Sequence, residues 1–325
     1  MRIAVTGSIA TDHLMTFPGW FSEQLLADRL DRVSLSFLAD NLEVRRGGVA
    51  ANIAFGLGVL GLRPALVGAV GADFERVWLK DHGVDTDSVR VSESLHTARF
   101  VCTTDRAQNQ IATFYAGAMA EAREIDLRDV VARTGRLELV LVSPDDPEAM
   151  LRHTRTCRDL GIPFAADPSQ QLARLDGGQV RELVDGARFL FTNEYETALL
   201  LEKSGWTEAE VLRRVGTWVT THGEAGVRIR GEGREPLAVP ALEVPAVVDP
   251  TGVGDAFRAG FLAGTLWGVP ERCAAQLGCA VAATVLDYVG TQEYRLHRES
   301  LLDRIRTTYG VGCTATLVTH LRGLT

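Results

Sequence analysis

The chain reads as an α/β protein, a doubly wound and mostly parallel sheet carrying a small β-sheet lid. Three observations predict this. Short apolar runs and helical patterns alternate regularly from about residue 137 onward, as right-handed βαβ units require. Period-two stretches break that rhythm between residues 97 and 115, as strands of a half-exposed sheet do. Finally, an apolar approach at Ala246-Val247-Val248 runs into a turn with two glycines and then into a long helical pattern. With 325 residues, 46% of them hydrophobic, the chain can bury one large core and a smaller one.

Taken in order, Ile3–Ile9 is an opening strand that delivers small and acidic residues (Ser8, Asp12) at its C-terminal end, where open α/β sheets build a ligand crevice. Val33–Leu38 reads as strand. Arg46-Gly47-Gly48 starts a helix over Val49–Leu60 with Asn52 in its first turn. Ala65–Gly71 is apolar throughout, as a strand buried on both faces is. A helix over Asp73–His82 stops at Gly83. Thr97–Thr104 and Gln110–Tyr115 flank the polar loop Asp105–Asn109 and form an antiparallel hairpin. Strands Leu137–Ser143, Pro163–Ala166, Phe189–Thr192 and Trp218–Thr221 then alternate with helices Pro147–Leu160, Gly178–Val184, Glu194–Lys203 and Thr207–Val215. Helices over Asp255–Leu266, Glu271–Val289 and His297–Tyr309 close the core. The division that follows gives residues 1–11, 41–95 and 118–325 to the large domain and 12–40 and 96–117 to the lid.

A net charge of −8 without any basic run argues against a nucleic-acid partner. Lysine occurs only at Lys80 and Lys203, so a phosphate clamp would have to rest on backbone amides and arginine. The five scattered cysteines (Cys102, Cys157, Cys273, Cys279, Cys313) read as reduced core residues of a cytoplasmic protein. Arg2–Gly7 reads as strand and not as signal peptide, and the apolar run Ala280–Leu286 is too short to span a bilayer.

The richest stretch is Asp249-Pro250-Thr251-Gly252-Val253-Gly254-Asp255. Free N–H groups of Gly252, Val253 and Gly254 at a helix start make an anion site, reinforced by the helix dipole. A carboxylate there competes with the anion unless it has chemical work. If a phosphoryl group is transferred at this point, Asp255 can take the proton of an attacking hydroxyl while the amides hold the developing charge. The same letters also fit an ordinary first-turn acid on a glycine turn.

Together with Gly47-Gly48-Val49-Ala50-Ala51-Asn52 and Asn193-Glu194-Tyr195-Glu196, this stretch resembles the motifs of the ribokinase-like (PfkB) carbohydrate and nucleoside kinases, and the resemblance covers nearly the whole chain. Val253 departs from it, standing where the family usually places a smaller residue. Within the family, Gly7–His13, His96–Phe100 and Asp167-Pro168-Ser169-Gln170-Gln171 look most similar to the bacterial, actinobacterial-type adenosine kinases. The resemblance implies transfer of the ATP γ-phosphate to the 5′-hydroxyl of adenosine, giving AMP. Asp255 would be the general base, and Gly252, Val253 and Gly254 the anion hole. Asp12, Gly48 and Asn52 would hold the ribose hydroxyls. Phe100 and Phe114 would sandwich the purine, and Ser8, Ser36, Gln170 or Gln171 would read its edge. Asn193 and Glu196 would face the phosphates through Mg²⁺-bound water, although an N-cap asparagine followed by a first-turn glutamate explains the same letters. Thr221, Gly223 and Gly226 belong to an ATP loop, and Asp249 and Thr251 are candidates for a monovalent cation such as K⁺.

Phe100 and Phe114 also suit simple packing of the lid, and Asp12 alone suits a strand-end turn. The alternatives are a sugar kinase of the same fold, of the ribokinase or fructokinase kind, and a catalytically silent nucleoside-binding protein. A lid with exposed edges and an apolar face predicts a homodimer through the lids. A dinucleotide fingerprint would need glycine where Phe257 stands, no P-loop occurs, and neither the histidines nor the cysteines show metal-ligand spacing.

Overall fold

A computed structural model describes residues 2–24 and 35–324, and its strands fall into two sheets. In chain order the strands are β1 (Ile3–Thr6), β2 (Ala10–Thr16), β3 (Asn41–Gly47), β4 (Ala65–Val70), β5 (Val89–Val91), β6 (Ala98–Thr104), β7 (Gln110–Tyr115), β8 (Leu139–Val142), β9 (Phe164–Ala166), β10 (Phe189–Asn193), β11 (Thr217–Thr221), β12 (Val227–Arg230) and β13 (Leu237–Val239). The main sheet has nine strands in the order β13-β12-β11-β10-β9-β8-β1-β4-β5. All are parallel from β11 to β5, and β12 and β13 add antiparallel at one edge. The second sheet runs β3-β2-β6-β7.

Alternation along the central strands explains the layers. Ile3, Val5, Leu139 and Leu141 point into a core shared with the helices Val49–Val59, Val253–Leu266 and Glu271–Val285. Ala4, Val140 and Val142 point the other way, onto Met150, Leu183 and Leu200 of the helices Pro147–Asp159, Gly177–Val184 and Glu194–Ser204. Full burial of each such side chain contributes roughly 1.5–3 kcal/mol, which is why both faces must be covered. Chain order reverses beside β1, with β4 on one side and β8 on the other. Open sheets form their ligand crevice outside the C-terminal strand ends at such a switch point.

Several expectations need correcting. The opening strand stops at Thr6, and the chain re-enters as β2, in the other sheet. β3 was not anticipated, so the strands of the small sheet reach beyond residues 12–40 at both ends. Residues 35–38 of the expected strand Val33–Leu38 have no regular structure, and Val33 and Ser34 lie outside the described residues. The expected helix over Asp73–His82 is reduced to Val77–Asp81. The Asp73 carboxylate accepts from the Thr97 amide (2.9 Å), the Thr97 hydroxyl (2.8 Å) and Arg99 (2.8 Å), which ties the chain to the head of β6 instead of letting it coil. The helix from Glu271 ends at Val285 because Leu286 turns to accept a hydrogen bond from the Val248 amide.

Cys273 and Cys313 form a disulfide, with Cα atoms 5.3 Å apart, so the reading of five reduced thiols fails for this pair. The helix Arg298–Tyr309 folds back along Glu271–Val285 and closes a 40-residue separation that concealed the contact. Cys102, Cys157 and Cys279 are free and buried. Among the described residues no helix is long and apolar enough to cross a membrane.

Candidate active site

Gly252 makes the turn into the helix Val253–Leu266. Its φ of 77° is left-handed, and a Cβ there would come within 2.7 Å of the Thr291 Cγ2 atom. No side chain caps this helix. Among the described residues nothing accepts from the amides of Gly252, Gly254 or Asp255, while the Val253 amide reaches the Pro250 carbonyl only at 3.5 Å. Bare donors at the positive end of a 14-residue helix are the arrangement an anion site requires.

Asp255 stands among them, partly exposed. Desolvation pushes its carboxyl up to about 7; a hydrogen bond from Asn52 and the charge of Arg258 pull it down, and Asp167 and Asp12 push it further up. The Asn52 Nδ2 group donates to Asp255 Oδ2 at 2.8 Å, while its Oδ1 accepts from the Thr291 hydroxyl (2.8 Å) and from Gln292 (2.9 Å). Three of its four hydrogen-bonding positions are thereby engaged, so Asn52 orients the acid more than it offers itself to a sugar. Arg258, one turn on, is not the partner of Asp255. It grips Asp167 at the end of β9 with contacts of 2.6 and 2.7 Å, and both residues are buried. Asp255 is therefore held without being neutralised in an ion pair.

Above it lies the four-stranded sheet. Registered pairs Arg45↔Asp12, Asp12↔Phe100 and Phe100↔Phe114 place these four side chains in one row on one face. This corrects the expected sandwich: cross-strand neighbours sit side by side, so Phe100 and Phe114 make a platform and cannot clasp a ring between them. Phe114 is 50% exposed, so a ring can stack on it. Asp12 is pushed up to about 6 by desolvation, with Arg45 pulling it down and Asp249 pushing it up. Gly47 and Gly48 leave room for this edge of the site. A Cβ on Gly47 would meet both Asp12 oxygens at 2.7 Å, and Gly48, at φ 93°, lies where a Cβ would strike the backbone of Ser8 and Ala10 at 2.6 Å.

Other expected site residues fare differently. Ser8 is buried, and its hydroxyl accepts from the Val49 amide at 3.0 Å, which ties it to the start of that helix. Gln171 is also buried, donating to the Asp145 carbonyl at 2.6 Å, whereas Gln170 is exposed. Ser36 lies exposed next to Phe37, which packs on Phe17 and Phe21. Asn193 and Glu196 form a reciprocal capping box at 2.8 Å each way, the local alternative already noted, and Ser169 donates to the other Glu196 oxygen at 3.2 Å. Thr221 ends β11 in register with Asn193, and the Gly223–Ala225 turn, closed by Gly226, follows it. Sequence reading did not single out Arg45, Thr291, Gln292 or Arg258, because each acts across a long chain separation.

No group of three or more histidine, cysteine or acidic side chains suited to a metal ion occurs among the described residues. Glu196, with both oxygens engaged, fits Mg²⁺ only through water, as expected for an ion held mainly by nucleotide phosphates. A monovalent cation would have to be held here by backbone carbonyls, because the Asp249 side chain is engaged. Its carboxylate accepts from Thr251 (2.9 Å), Gly290 (3.1 Å) and Arg45 (3.4 Å), and Thr251 is exposed. A cavity of about 670 Å³ lined by Arg2, Arg63, Lys80 and Asp85 lies at the opposite end of the strands and holds no comparable acid-and-amide arrangement.

Residues 10–297 match the family model described as pfkB family carbohydrate kinase. The nucleoside kinase of Methanothermobacter thermautotrophicus is 32% identical over 76% of this chain and 80% of that protein. The Burkholderia thailandensis nucleoside kinase in complex with inosine superposes with a TM-score of 0.82 at 33% identity, covering 96% of this chain and 99% of that one. The Methanocaldococcus jannaschii nucleoside kinase, an archaeal member of the ribokinase family, superposes with a TM-score of 0.83 at 25% identity over 94% and 98% of the two chains.

Proposed function

The chain belongs to the pfkB family of carbohydrate kinases, and we propose that it is a nucleoside kinase which transfers the ATP γ-phosphate to the 5′-hydroxyl of adenosine and related purine nucleosides. The observation that carries this reading is the placing of Asp12 beside the Phe100–Phe114 platform, over an acid held among bare amides. A sugar alone needs the acid and the amides; it has no use for an exposed aromatic platform. The relatives named as nucleoside kinases, one of them with inosine bound, support the same choice.

In the proposed mechanism the purine stacks on Phe100 and Phe114, and Asp12 accepts hydrogen bonds from the ribose hydroxyls. The 5′-oxygen is thereby aimed at Asp255. As that oxygen bonds to the γ-phosphorus, its proton passes to Asp255, the bond from phosphorus to the departing ADP oxygen breaks, and the amides of Gly252, Val253 and Gly254 hold the charge that spreads over the phosphoryl oxygens. Mg²⁺ arriving with the nucleotide would neutralise phosphate charge, with Glu196 on one of its waters. The four-stranded sheet, built from Ala10–Thr16, Asn41–Gly47, Ala98–Thr104 and Gln110–Tyr115, serves as the cover.

The test is turnover of adenosine, inosine, cytidine, ribose and fructose side by side, in wild type and in Asp255→Asn. Adenosine and inosine should lead, and ribose should be weakened by the roughly 1–3 kcal/mol of one lost stacking contact. The variant should keep nucleoside affinity and lose about 10²–10⁴-fold in kcat. Preference for ribose or fructose would make this a sugar kinase. Normal turnover by the variant would remove the mechanism, and adenosine binding without ADP release by the wild type would leave a silent binding protein.

A homodimer through the cover belongs to the same proposal. On the face opposite the Asp12 row, Leu42, Val44, Ile111 and Tyr115 are each at least 43% exposed. That apolar face, bordered by the edge strands β3 and β7, suits a second copy.

A further inference from the structure

Building on the nucleoside kinase reading, we propose that Arg45 is the side chain that meets the phosphoryl group in transit. Across β7, β6, β2 and β3 the row runs Phe114, Phe100, Asp12, Arg45. Aromatic, aromatic, acid and cation follow the order base, sugar and phosphate of a nucleoside monophosphate, at inter-strand steps of about 4.8 Å. If Phe100 and Phe114 take the base and Asp12 the sugar, the next place in the row is where the 5′-phosphate must emerge, and a guanidinium stands there.

Elimination points the same way. Phosphoryl transfer spreads negative charge that amides alone meet only in part, and this chain has two lysines, neither in the site motifs. Arg258 is locked on buried Asp167. Arg45 touches the anion loop through Asp249, but at 3.4 Å, the limit of a hydrogen bond, and its aliphatic stem lies against Gly290, where a Cβ would be 3.5 Å from its Cδ. Its other partner, Glu43, is 46% exposed, and such surface pairs contribute little. The guanidinium can therefore exchange a weak carboxylate contact for phosphoryl oxygens with small loss, and its planar fork suits them bidentately. Asp249 then holds Arg45 at the loop until phosphate arrives.

Arg45→Gln and Arg45→Lys test this in the full chain, by kinetics and by calorimetric titration of adenosine and of AMP. Arg45→Gln should lower kcat about 10²–10³-fold and should weaken AMP at least about tenfold more than adenosine. Arg45→Lys should recover part of both. An AMP affinity that follows adenosine affinity in every variant, or a kcat kept within about twofold in Arg45→Gln, would reduce Arg45 to a strut and overturn the proposal. The nucleoside kinase reading stands or falls separately, on whether the wild type turns adenosine over.

Discussion

In the proposed mechanism a single ionisation, that of Asp255, governs the chemistry. Its carboxyl is raised to about 7, chiefly by desolvation, and only the ionised form can take a proton. Activity should therefore be low in acid, climb as pH rises through about 7 and level off above it, as a kcat profile against pH would record. Asn52→Ala removes the hydrogen bond that favours the ionised form. The rising limb should then move to higher pH, and kcat at pH 7 should fall about tenfold or more. An unmoved limb would mean that Asn52 only packs. The acid and its amides were legible in the sequence because they are contiguous, so local rules of helix starts apply. The bond from Asn52 to Asp255 spans 203 residues and the Arg258–Asp167 pair spans 91, and no spacing rule reaches that far. Phe100 and Phe114 were rightly placed on neighbouring strands and wrongly aimed, since the direction of a side chain depends on register, which residue identity does not reveal.

The helix carrying Asp255 is set by its neighbour. Gly260, Gly264 and Gly278 let Val253–Leu266 and Glu271–Val285 approach at backbone distance: a Cβ on Gly260 would lie 2.8 Å from Gly278 Cα and 2.9 Å from the Leu277 carbonyl. Backbone cannot yield as a side chain can. Gly260→Val should cost about 1–3 kcal/mol, seen as a lower urea midpoint, and should reduce kcat as well because the displaced helix carries the base. A full-strength variant would show that the two helices slide apart freely. Element existence was largely readable, since caps such as Asp146, Asp176, Asn193 and Thr207 mark helix starts. β3 escaped for a physical reason. Its alternation covers only Leu42 to Arg45 before Arg46-Gly47-Gly48, which reads as a helix start, and its apolar Leu42 and Val44 prove to face outward while Arg45 faces the site.

Seen whole, the molecule joins a covered sheet of nine strands to an open one of four. If the open sheet is a dimer surface, light scattering should give twice the chain mass at micromolar concentration, and Ile111→Glu should halve it by placing a charge on the exposed apolar face. A wild type that remains monomeric would refute the assembly while leaving the chemistry intact. A different asymmetry follows from the buried contact between Arg258 and Asp167. Removing either partner strands the other charge without water, a loss of about 3–5 kcal/mol, so the start of the base's helix is riveted to the end of β9. On the proposed reading the acid is thus held from below, and tolerance for acceptors of different bulk has to come from the roof. Choice of nucleobase is then lodged in the Phe100–Phe114 platform, while speed of transfer draws on Asp255 below and Arg45 above, so mutation of the platform can tune the first without moving Asp255.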